Sequence, residues 1–231
     1  MKTVFITGGS RGIGKACVRA FALRGDNVYF TYNNSAEAAD ELSRETGAHA
    51  IHCDLRDPGT VCEALSQLDR IDVLVNNAGV SYTGLITDMS DTEYRDTMSV
   101  NLDAVFYACK AALPGMIRRG QGAIVNVSSI WGRVGASCEV AYSASKAGVI
   151  GLTRALAKEV GPSGVTVNCV APGVIDTDMN AHLSDADMDA LKEQTPMCRI
   201  GTPEEVAAAV VYLSDAPFVT GQILGVDGAI I

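Results

Sequence analysis

The stretch "TVFITGGSRGIGKA", residues 3–16, decides the fold of this chain. Its first five residues are apolar or β-branched and predict a buried strand over 3–7. A glycine-rich turn follows, and the pattern becomes helical over 14–24. A strand, a glycine turn and a helix start in this order point backbone N–H groups and the positive end of the helix dipole at one place. The stretch therefore predicts an anion site.

Two anionic ligands compete for this loop, and a purely structural turn is the third interpretation. Gly9 to Ala16 nearly matches G-x-x-x-x-G-K-[ST], the loop that holds nucleoside triphosphates, but Ala16 has no hydroxyl to hold magnesium. We therefore reject a nucleoside triphosphate. The other ligand is the pyrophosphate of a dinucleotide, with Gly8, Gly12 and Gly14 as the glycines that approach it. Their spacing departs from G-x-G-x-x-G, so the rest of the chain must decide.

The alternation of strand and helix continues along the whole chain. The predicted strands cover 3–7, 27–32, 49–53, 72–76, 123–128, 165–170 and 222–226. The predicted helices cover 14–24, 35–45, 59–68, parts of 91–119 and 140–160, and 203–213. Nearly continuous hydrophobic strands separated by helices are typical of a parallel sheet covered on both faces. We expect a single doubly wound (Rossmann-type) α/β domain over 1–231, with a mainly parallel seven-stranded sheet.

Composition excludes several classes of function. The net charge of −9 argues against a nucleic-acid partner, which needs a basic face. No apolar run approaches the ~18 residues that span a bilayer, so we expect no membrane association. The seven cysteines never occur as C-x-x-C, and His49, His52 and His182 have no metal-ligand spacing. We therefore expect reduced thiols, no metal and a cytoplasmic protein.

Small and polar residues follow several predicted strands. Asp54 follows the third strand, "NNAG" at 76–79 the fourth, Ser128 and Ser129 the fifth, and "PGVIDTDM" at 172–179 the sixth. Each segment alone is an ordinary turn or strand end. Because the carboxyl ends of parallel strands share one edge of a sheet, where ligands bind, these segments together predict a site.

Tyr142 and Lys146 stand four positions apart in "VAYSASKAG", residues 140–148. On a helix they would lie on the same face, so that an ammonium comes close to a phenol. A nearby positive charge favours the ionised phenol, whose pKa is otherwise about 10. The pair is therefore a possible general acid, and an unremarkable surface helix is the alternative.

These residues together resemble the short-chain dehydrogenase/reductase family over essentially the whole chain. The glycine loop T-G-x-x-x-G-x-G is Thr7 to Gly14, the N-N-A-G segment is 76–79, and Y-x-x-x-K is Tyr142 to Lys146. The family's catalytic serine lies thirteen residues before the tyrosine, which selects Ser129 over Ser128. The segments "PGVIDTDM" and "GTPEEVAAAVVYLSD" look like the branch of 3-oxoacyl-[acyl-carrier-protein] reductases in particular.

The resemblance implies a set of site residues. The implied catalytic residues are Ser129, which polarises the substrate carbonyl, Tyr142, which donates a proton, Lys146, which lowers the phenol pKa and holds the nicotinamide ribose, and Asn101, which holds a proton-passing water. For Asn101, a polar residue that satisfies a backbone carbonyl is the alternative. The implied cofactor-binding residues are Gly8, Gly9, Ser10, Arg11, Gly12, Ile13, Gly14, Asn33, Asp54, Leu55, Asn77, Ala78, Gly79, Tyr142, Lys146, Pro172, Gly173, Ile175 and Thr177.

The cofactor expected is NADPH rather than NADH. An NAD-specific sheet places a carboxylate at the end of the second strand, about 20 residues after the glycines, and that place here is Tyr32 followed by Asn33. No carboxylate at these positions repels a 2′-phosphate, and Arg11 supplies a positive charge.

The implied reaction is reduction of a 3-oxoacyl thioester on acyl carrier protein. The branch usually has basic residues at the positions of Gly120 and Ser163, so Arg118, Arg119 and Arg133 are the candidates for a basic rim that meets an acidic carrier. A free small ketone, alcohol, sugar or steroid is the alternative substrate, and a non-catalytic dinucleotide sensor is a further alternative.

The resemblance also implies a lid and an assembly. The segment around 178–200 corresponds to the substrate lid, and Met179, Leu183, Met188 and Leu191 are expected to pack it down. The resemblance implies a homotetramer built on the helices within 91–119 and 140–160. Their small faces contain Ala104, Ala108, Ala111, Ala112, Ala144 and Ala147.

Overall fold

The computed structural model describes residues 1–180 and 183–231. Seven strands form one sheet: β1 (Thr3–Ile6), β2 (Asn27–Tyr32), β3 (His49–His52), β4 (Val73–Asn76), β5 (Gly122–Val127), β6 (Val165–Pro172) and β7 (Ile223–Val226). The spatial order is β3-β2-β1-β4-β5-β6-β7 and every pairing is parallel. The predicted doubly wound parallel sheet is confirmed. The chain reverses its direction of winding between β1 and β4, the switch point where such sheets bind ligands.

Helices connect the strands and cover both faces of the sheet. They are α1 (Gly12–Leu23), α2 (Ala36–Thr46), α3 (Pro58–Ser66), α4 (Asp91–Met98), α5 (Ala104–Arg119), α6 (Trp131–Val134), α7 (Val140–Val160), α8 (Asp185–Gln194) and α9 (Pro203–Asp215). A core on one face packs β-strand side chains such as Phe5 and Leu74 against α3, α5 and α7. The core on the other face packs Val4, Phe30 and their neighbours against α1, α2 and α9.

Local sequence explains where several helices begin and end. Ser90 and Thr202 each start a helix with a capping box, in which their hydroxyls accept from the N–H groups of Glu93 and Glu205. Gly120 ends α5 with φ +64°, in the left-handed region that suits glycine. All seven predicted strands and the six predicted helical segments are present.

Three details departed from the sequence prediction. The helical segment within 91–119 is interrupted by a π-helical turn over Ser99–Asp103, where one extra residue per turn re-aims the side chains. The four-residue helix α6 was not predicted, because its "WGRV" sequence is too short to show a period. Helix α8 within the lid follows a third capping box at Ser184.

Candidate active site

The carboxyl edge of the sheet brings the predicted site residues together. Ser129 follows β5, Tyr142 and Lys146 occupy the first turns of α7, and Asn101 lies in the π-helical turn before α5. All four side chains are buried, which is unusual for polar groups. Such groups persist in a core only when they are hydrogen-bonded, so their partners define the site.

Ser129 and Tyr142 form the reactive pair. The Ser129 Oγ accepts a hydrogen bond of 3.1 Å from the backbone N–H of Trp131 in α6. The Ser129 hydroxyl also interacts with the Tyr142 phenol and acts to lower its pKa. A fixed serine hydroxyl next to a phenol gives two O–H groups that can point at the same carbonyl oxygen, an oxyanion-type arrangement.

Lys146 lies beneath Tyr142. Its Nζ donates to the carbonyl of Val127 at 3.0 Å and stands 5.7 Å from the centroid of the Tyr142 ring. The ammonium is only 3% exposed at the residue level, and burial lowers the pKa of Lys146 to about 8. Lys146 therefore changes charge close to neutral pH.

The expected lowering of the Tyr142 pKa is wrong for this structure. Burial raises the pKa of Tyr142 to about 12, the charge of Glu139 adds to the rise, and only the hydrogen bond from Ser129 opposes it. The lysine does not offset this, because its Nζ is directed to Val127 rather than to the phenol oxygen. Tyr142 consequently keeps its proton at neutral pH, the state that a proton donor needs.

Asn101 takes the alternative role considered for it. Its side-chain Oδ1 accepts from the N–H of Val80 at 2.8 Å, and its Nδ2 donates to the carbonyl of Val80 at 2.9 Å and to Ser145 Oγ at 3.1 Å. The amide thus ties the loop after β4 to α7. The expectation that Asn101 also holds a water remains a prediction.

The glycine loop forms a compact cradle with the loop after β4. Thr7 Oγ1 accepts from the N–H groups of Asn77 and Ala78 at 3.0 and 3.1 Å, and Asn77 Nδ2 donates to the carbonyl of Gly8 at 3.0 Å. Gly8 has φ +66°, and a Cβ on it would lie 2.9 Å from the Ala78 Cα, so only glycine fits. Helix α1 starts beside this cradle without a side-chain cap or an acidic residue in its first turn, which leaves its N–H groups for an anion.

The remaining predicted cofactor residues lie along the same edge. A Cβ on Gly79 would come within 3.3 Å of Lys146 Nζ and 3.4 Å of Asn101 Oδ1, so this glycine leaves room between the lysine and the loop. Asp54 Oδ2 forms an ion pair with Arg56 Nη2 at 2.5 Å, a contact that the sequence interpretation did not predict. The others lie at or beyond the strand ends: Ser10, Arg11, Ile13 and Asn33 after β1 and β2, Leu55 after β3, Pro172 as the last residue of β6, and Gly173, Ile175 and Thr177 after it.

The segment predicted as a lid is described over 178–180 and 183–200, and a buried threonine holds its C-terminal part. Thr195 is buried, and its Oγ1 donates to the carbonyl of Leu191 at 2.8 Å. Met179 is 46% exposed and precedes α8, and Leu183, Met188 and Leu191 are half-buried, so the expectation that these four residues pack the lid down remains a prediction. Residues 181 and 182 of the predicted lid, including His182, lie outside the described residues.

Two of the three arginines expected at the mouth lie elsewhere. Arg118 and Arg119 end α5, directly before β5 begins, so they lie at the amino edge of the sheet, a full strand length from Ser129. Arg119 donates through Nη2 to the carbonyl of Ile71 at that edge. Arg133 does lie near the mouth, in α6, where its Nη1 is 3.6 Å from Asp227 Oδ2.

The sequence interpretation also missed a close packing contact behind the cluster and a groove beside it. Gly132 lets α6 press on α7, since a Cβ there would lie 2.7 Å from both the Lys146 carbonyl carbon and Ser128 Oγ. A groove of about 540 Å³ also runs along α7, with Arg133 and Arg154 among its lining residues. The "WGR" triplet at 131–133 gives no indication of the close packing, and Arg154, although it lies on the helix of Lys146, belongs to no motif.

Comparison with known proteins settles the family. A family model described as "Enoyl-(Acyl carrier protein) reductase" matches residues 8–229. The chain belongs to the short-chain dehydrogenase/reductase family. It is an oxidoreductase of the kind that interconverts a hydroxyl and a carbonyl group.

Several relatives are similar over nearly their full length. The 3-oxoacyl-[acyl-carrier-protein] reductase FabG of Chlamydia muridarum is 41% identical, over 98% of this chain and 96% of its own. Carbonyl reductase family member 4 of Xenopus laevis is 40% identical, over 99% of this chain and 98% of its own. The crystal structure of a blue fluorescent protein from a metagenomic library, in complex with NADPH, has a TM-score of 0.93 and 38% identity, covering 99% of this chain and 97% of that one.

The described residues contain neither a metal cluster nor a membrane-spanning helix. Over 1–180 and 183–231, no three His, Cys, Asp or Glu side chains gather where they could hold a metal ion. No helix in these ranges is long and apolar enough to cross a bilayer.

Proposed function

We propose that this oxidoreductase uses NADPH to reduce the keto group of a 3-oxoacyl thioester, presented on acyl carrier protein, to the 3-hydroxyacyl thioester. The observation that carries the proposal is the buried cluster of Ser129, Tyr142 and Lys146 beside an open helix N-terminus. Two O–H donors next to an anion cradle suit a carbonyl substrate and a dinucleotide held side by side.

The residues present fit NADPH. The cradle of Thr7, Gly8 and Asn77 leaves room for a pyrophosphate at the start of α1. The end of β2 is Tyr32 followed by Asn33, so no carboxylate stands there against a 2′-phosphate, and Arg11 is exposed nearby. The NADPH bound in the similar metagenomic protein supports the same choice.

The chain's own residues supply the acid chemistry. When bound, NADPH supplies the hydride to the carbonyl carbon. Ser129, fixed by the N–H of Trp131, hydrogen-bonds the carbonyl oxygen and stabilises the charge that develops on it. Tyr142 transfers its phenolic proton to that oxygen, and Lys146, whose pKa is about 8, is placed beneath the phenol to hold positive charge as the proton leaves.

The substrate class rests on the relatives. Curated relatives of 39–41% identity from four bacterial genera are called 3-oxoacyl-[acyl-carrier-protein] reductase. Exposed apolar side chains on segments near the mouth, Leu85, Val134 and Met197, would suit an acyl chain. A free small ketone is the second candidate, because the carbonyl reductase of Xenopus laevis is equally similar.

A panel of NADPH-oxidation rates tests the proposal. We expect kcat/KM to be highest for acetoacetyl-carrier, lower for acetoacetyl-CoA, and lowest for a free 3-oxo ester. Crotonyl-CoA serves as an enoyl control and should not be reduced. Reduction of the free ketone alone would leave the oxidoreductase assignment intact and overturn the thioester, whereas reduction of crotonyl-CoA alone would overturn both ketone candidates.

Docking of a carrier can be tested separately. The groove along α7 is lined by Arg133 and Arg154, and a contiguous one by Arg154 and Lys158, so a cationic strip leads from the mouth along this helix. An acidic carrier should be attracted by such a strip, less so at high salt. Arg154→Glu combined with Lys158→Glu should lower kcat/KM for the carrier-linked substrate more than for acetoacetyl-CoA, because a carrier protein would cover more of the strip than the phosphates of CoA do. Equal loss for both substrates would contradict docking on this strip.

We further propose that the protein works in the cytoplasm as a homotetramer. Of the alanines expected at the interface, Ala104, Ala108 and Ala112 pack in the core, whereas Ala111, Ala144 and Ala147 are exposed. Phe106 on α5 is also exposed, at 52%. Light scattering at micromolar concentration should give the mass of four chains, and Phe106→Asp should lower it. A wild-type monomer would contradict the assembly.

A further inference from the structure

Arg11 is the one cation of the glycine loop that faces outward next to the helix start. It occupies the N-cap position of α1, and its side chain makes no cap hydrogen bond. Its Nη1 lies 3.7 Å from the Oδ2 of Asp178, the first residue of the short turn Asp178–Asn180 at the beginning of the lid. The carboxylate therefore stands next to the positive charge that a cofactor phosphate would use.

The first residues of the lid are placed there by packing rather than by the ion pair alone. Gly12 has φ +50°, and a Cβ on it would lie 3.2 Å from the Cγ2 of Thr177. Asn180 Nδ2 donates to the carbonyl of Ile175 at 2.7 Å and fixes the turn that carries Asp178. Asp178 thus remains close to Arg11 even where the ion pair itself is weak.

Charge explains why this placement matters. The start of α1 and the Arg11 guanidinium both attract an anion, and the first turn of α1 contains no acidic residue of its own. The lid supplies the anion instead, through Asp178. The side chains of Arg11 and Asp178 are 61% and 71% exposed, so water screens their ion pair. An anion that Arg11 attracts more strongly can therefore displace Asp178.

We propose that Asp178 competes with the cofactor 2′-phosphate for Arg11 and thereby sets how strongly the protein prefers NADPH over NADH. The inference rests on the proposed use of NADPH and names a further specificity-determining residue for it. Arg11 attracts the 2′-phosphate, and Asp178 attenuates that attraction. The lid and the cofactor site are linked by this exchange of partners.

A double-mutant cycle tests the competition. Asp178→Asn should tighten NADPH binding about two- to fivefold, the size expected for an exposed pair, and leave NADH binding unchanged. The gain should disappear when Arg11→Ala is also present, and it should shrink at high salt. Dissociation constants are measured by the fluorescence of the bound reduced nucleotide, and by quenching of the single Trp131. Asp176→Asn, which removes an exposed carboxylate two residues away, is the matched control and should change neither constant.

The outcomes distinguish failure of the proposed competition by Asp178 from failure of the proposed NADPH preference. An equal gain for NADPH and NADH would overturn the proposal, because it would report general charge rather than a 2′-phosphate. If Arg11→Ala selectively weakens NADPH but Asp178→Asn has no effect, the proposed cofactor stands and the competition is wrong. If Arg11→Ala weakens neither cofactor selectively, the charge assigned to Arg11 is wrong and both statements fall.

Discussion

The proposed catalytic cluster (Ser129, Tyr142 and Lys146) and the predicted lid (around 178–200) are built in opposite ways. Ser129, Tyr142 and Lys146 are 7%, 8% and 3% exposed, and backbone groups of Trp131 and Val127 fix the Ser129 hydroxyl and the Lys146 ammonium. Helix α8 in the lid has no buried residue at all. A change in the cluster must therefore be accommodated by the core, whereas a change in the lid meets mainly solvent. Packing thus fixes the groups proposed for the chemistry, whereas the segment proposed to meet the substrate can vary in sequence at little cost to stability.

Removing the proton donor should give the largest effect. Tyr142→Phe deletes one oxygen from a site where the phenol is buried and protonated, so kcat should fall by about 10²- to 10⁴-fold. NADPH affinity should stay within a factor of about two. Steady-state rates and cofactor titration measure the two quantities. Tyr94→Phe, on the exposed face of α4, is the control and should retain full activity. Near-wild-type turnover of Tyr142→Phe would remove the phenol from the mechanism.

The next largest effect is expected from a substitution that adds a methyl group between α6 and α7, next to the cluster. A methyl group at Gly132 would lie 2.7 Å from the Lys146 carbonyl carbon, so Gly132→Ala must push α6 and α7 apart. We expect a loss of about 1–3 kcal/mol in the free energy of unfolding, as for overpacked cores, and a loss of activity. Gly151→Ala on the same α7 meets no atom within 4 Å and should stabilise by up to about 1 kcal/mol. Denaturant unfolding measures both, and an unaffected Gly132→Ala would show that this packing is not needed.

A substitution of the buried Lys146 should lower activity and raise the free energy of unfolding at pH 7. Its pKa falls from 10.5 to about 8 on folding, so the unfolded chain binds more protons between these values and stability should rise with pH through that window. At pH 7 the buried charge costs on the order of 3 kcal/mol, partly offset by the hydrogen bond to Val127.

Lys146→Met should accordingly unfold at higher denaturant than wild type at pH 7, lose the rise above pH 8, and lose activity. Unfolding curves of the cofactor-free protein at several pH values provide the measurement. Lys110→Met, at an exposed position on α5, should shift neither the midpoint nor its pH dependence. A less stable Lys146→Met at every pH would mean that the hydrogen bond outweighs the burial of charge.

Sequence patterns predicted the sheet and most of the cluster for physical reasons. Strands that are apolar on both faces must be covered by helices on both sides, as they are in a parallel α/β sheet. Because the strands are parallel, Asn77, Ser129 and Tyr142 then lie at one edge of the sheet. The i, i+4 spacing of Tyr142 and Lys146 fixes their shared face once α7 forms.

Properties that depend on tertiary surroundings could not be predicted in the same way. The direction of the Tyr142 pKa shift follows from burial, which the spacing alone does not reveal, and the lysine Nζ is directed to Val127 by packing. The position of Arg118 and Arg119 follows from which edge of the sheet the end of α5 reaches. Proximity in sequence to Gly120 gave no information on distance from the mouth.

The smallest effect is expected from a substitution in the predicted lid, and this substitution tests whether the lid acts independently of the cluster. Met197 is 59% exposed and packs beside Gly228, next to the Asp227 that pairs with Arg133 near the mouth. If its side chain covers part of an acyl chain, Met197→Ala exposes that area, and KM for a long-chain 3-oxoacyl thioester should rise about two- to fivefold. The acetoacetyl substrate is too short to reach it, so its KM should not change, nor should kcat or the free energy of unfolding. Leu23→Ala, a 91% exposed position at the end of α1, controls for loss of surface apolar area. A loss of kcat in Met197→Ala for both chain lengths would show that the lid takes part in placing the catalytic groups, and the division between a fixed cluster and a variable lid would fail.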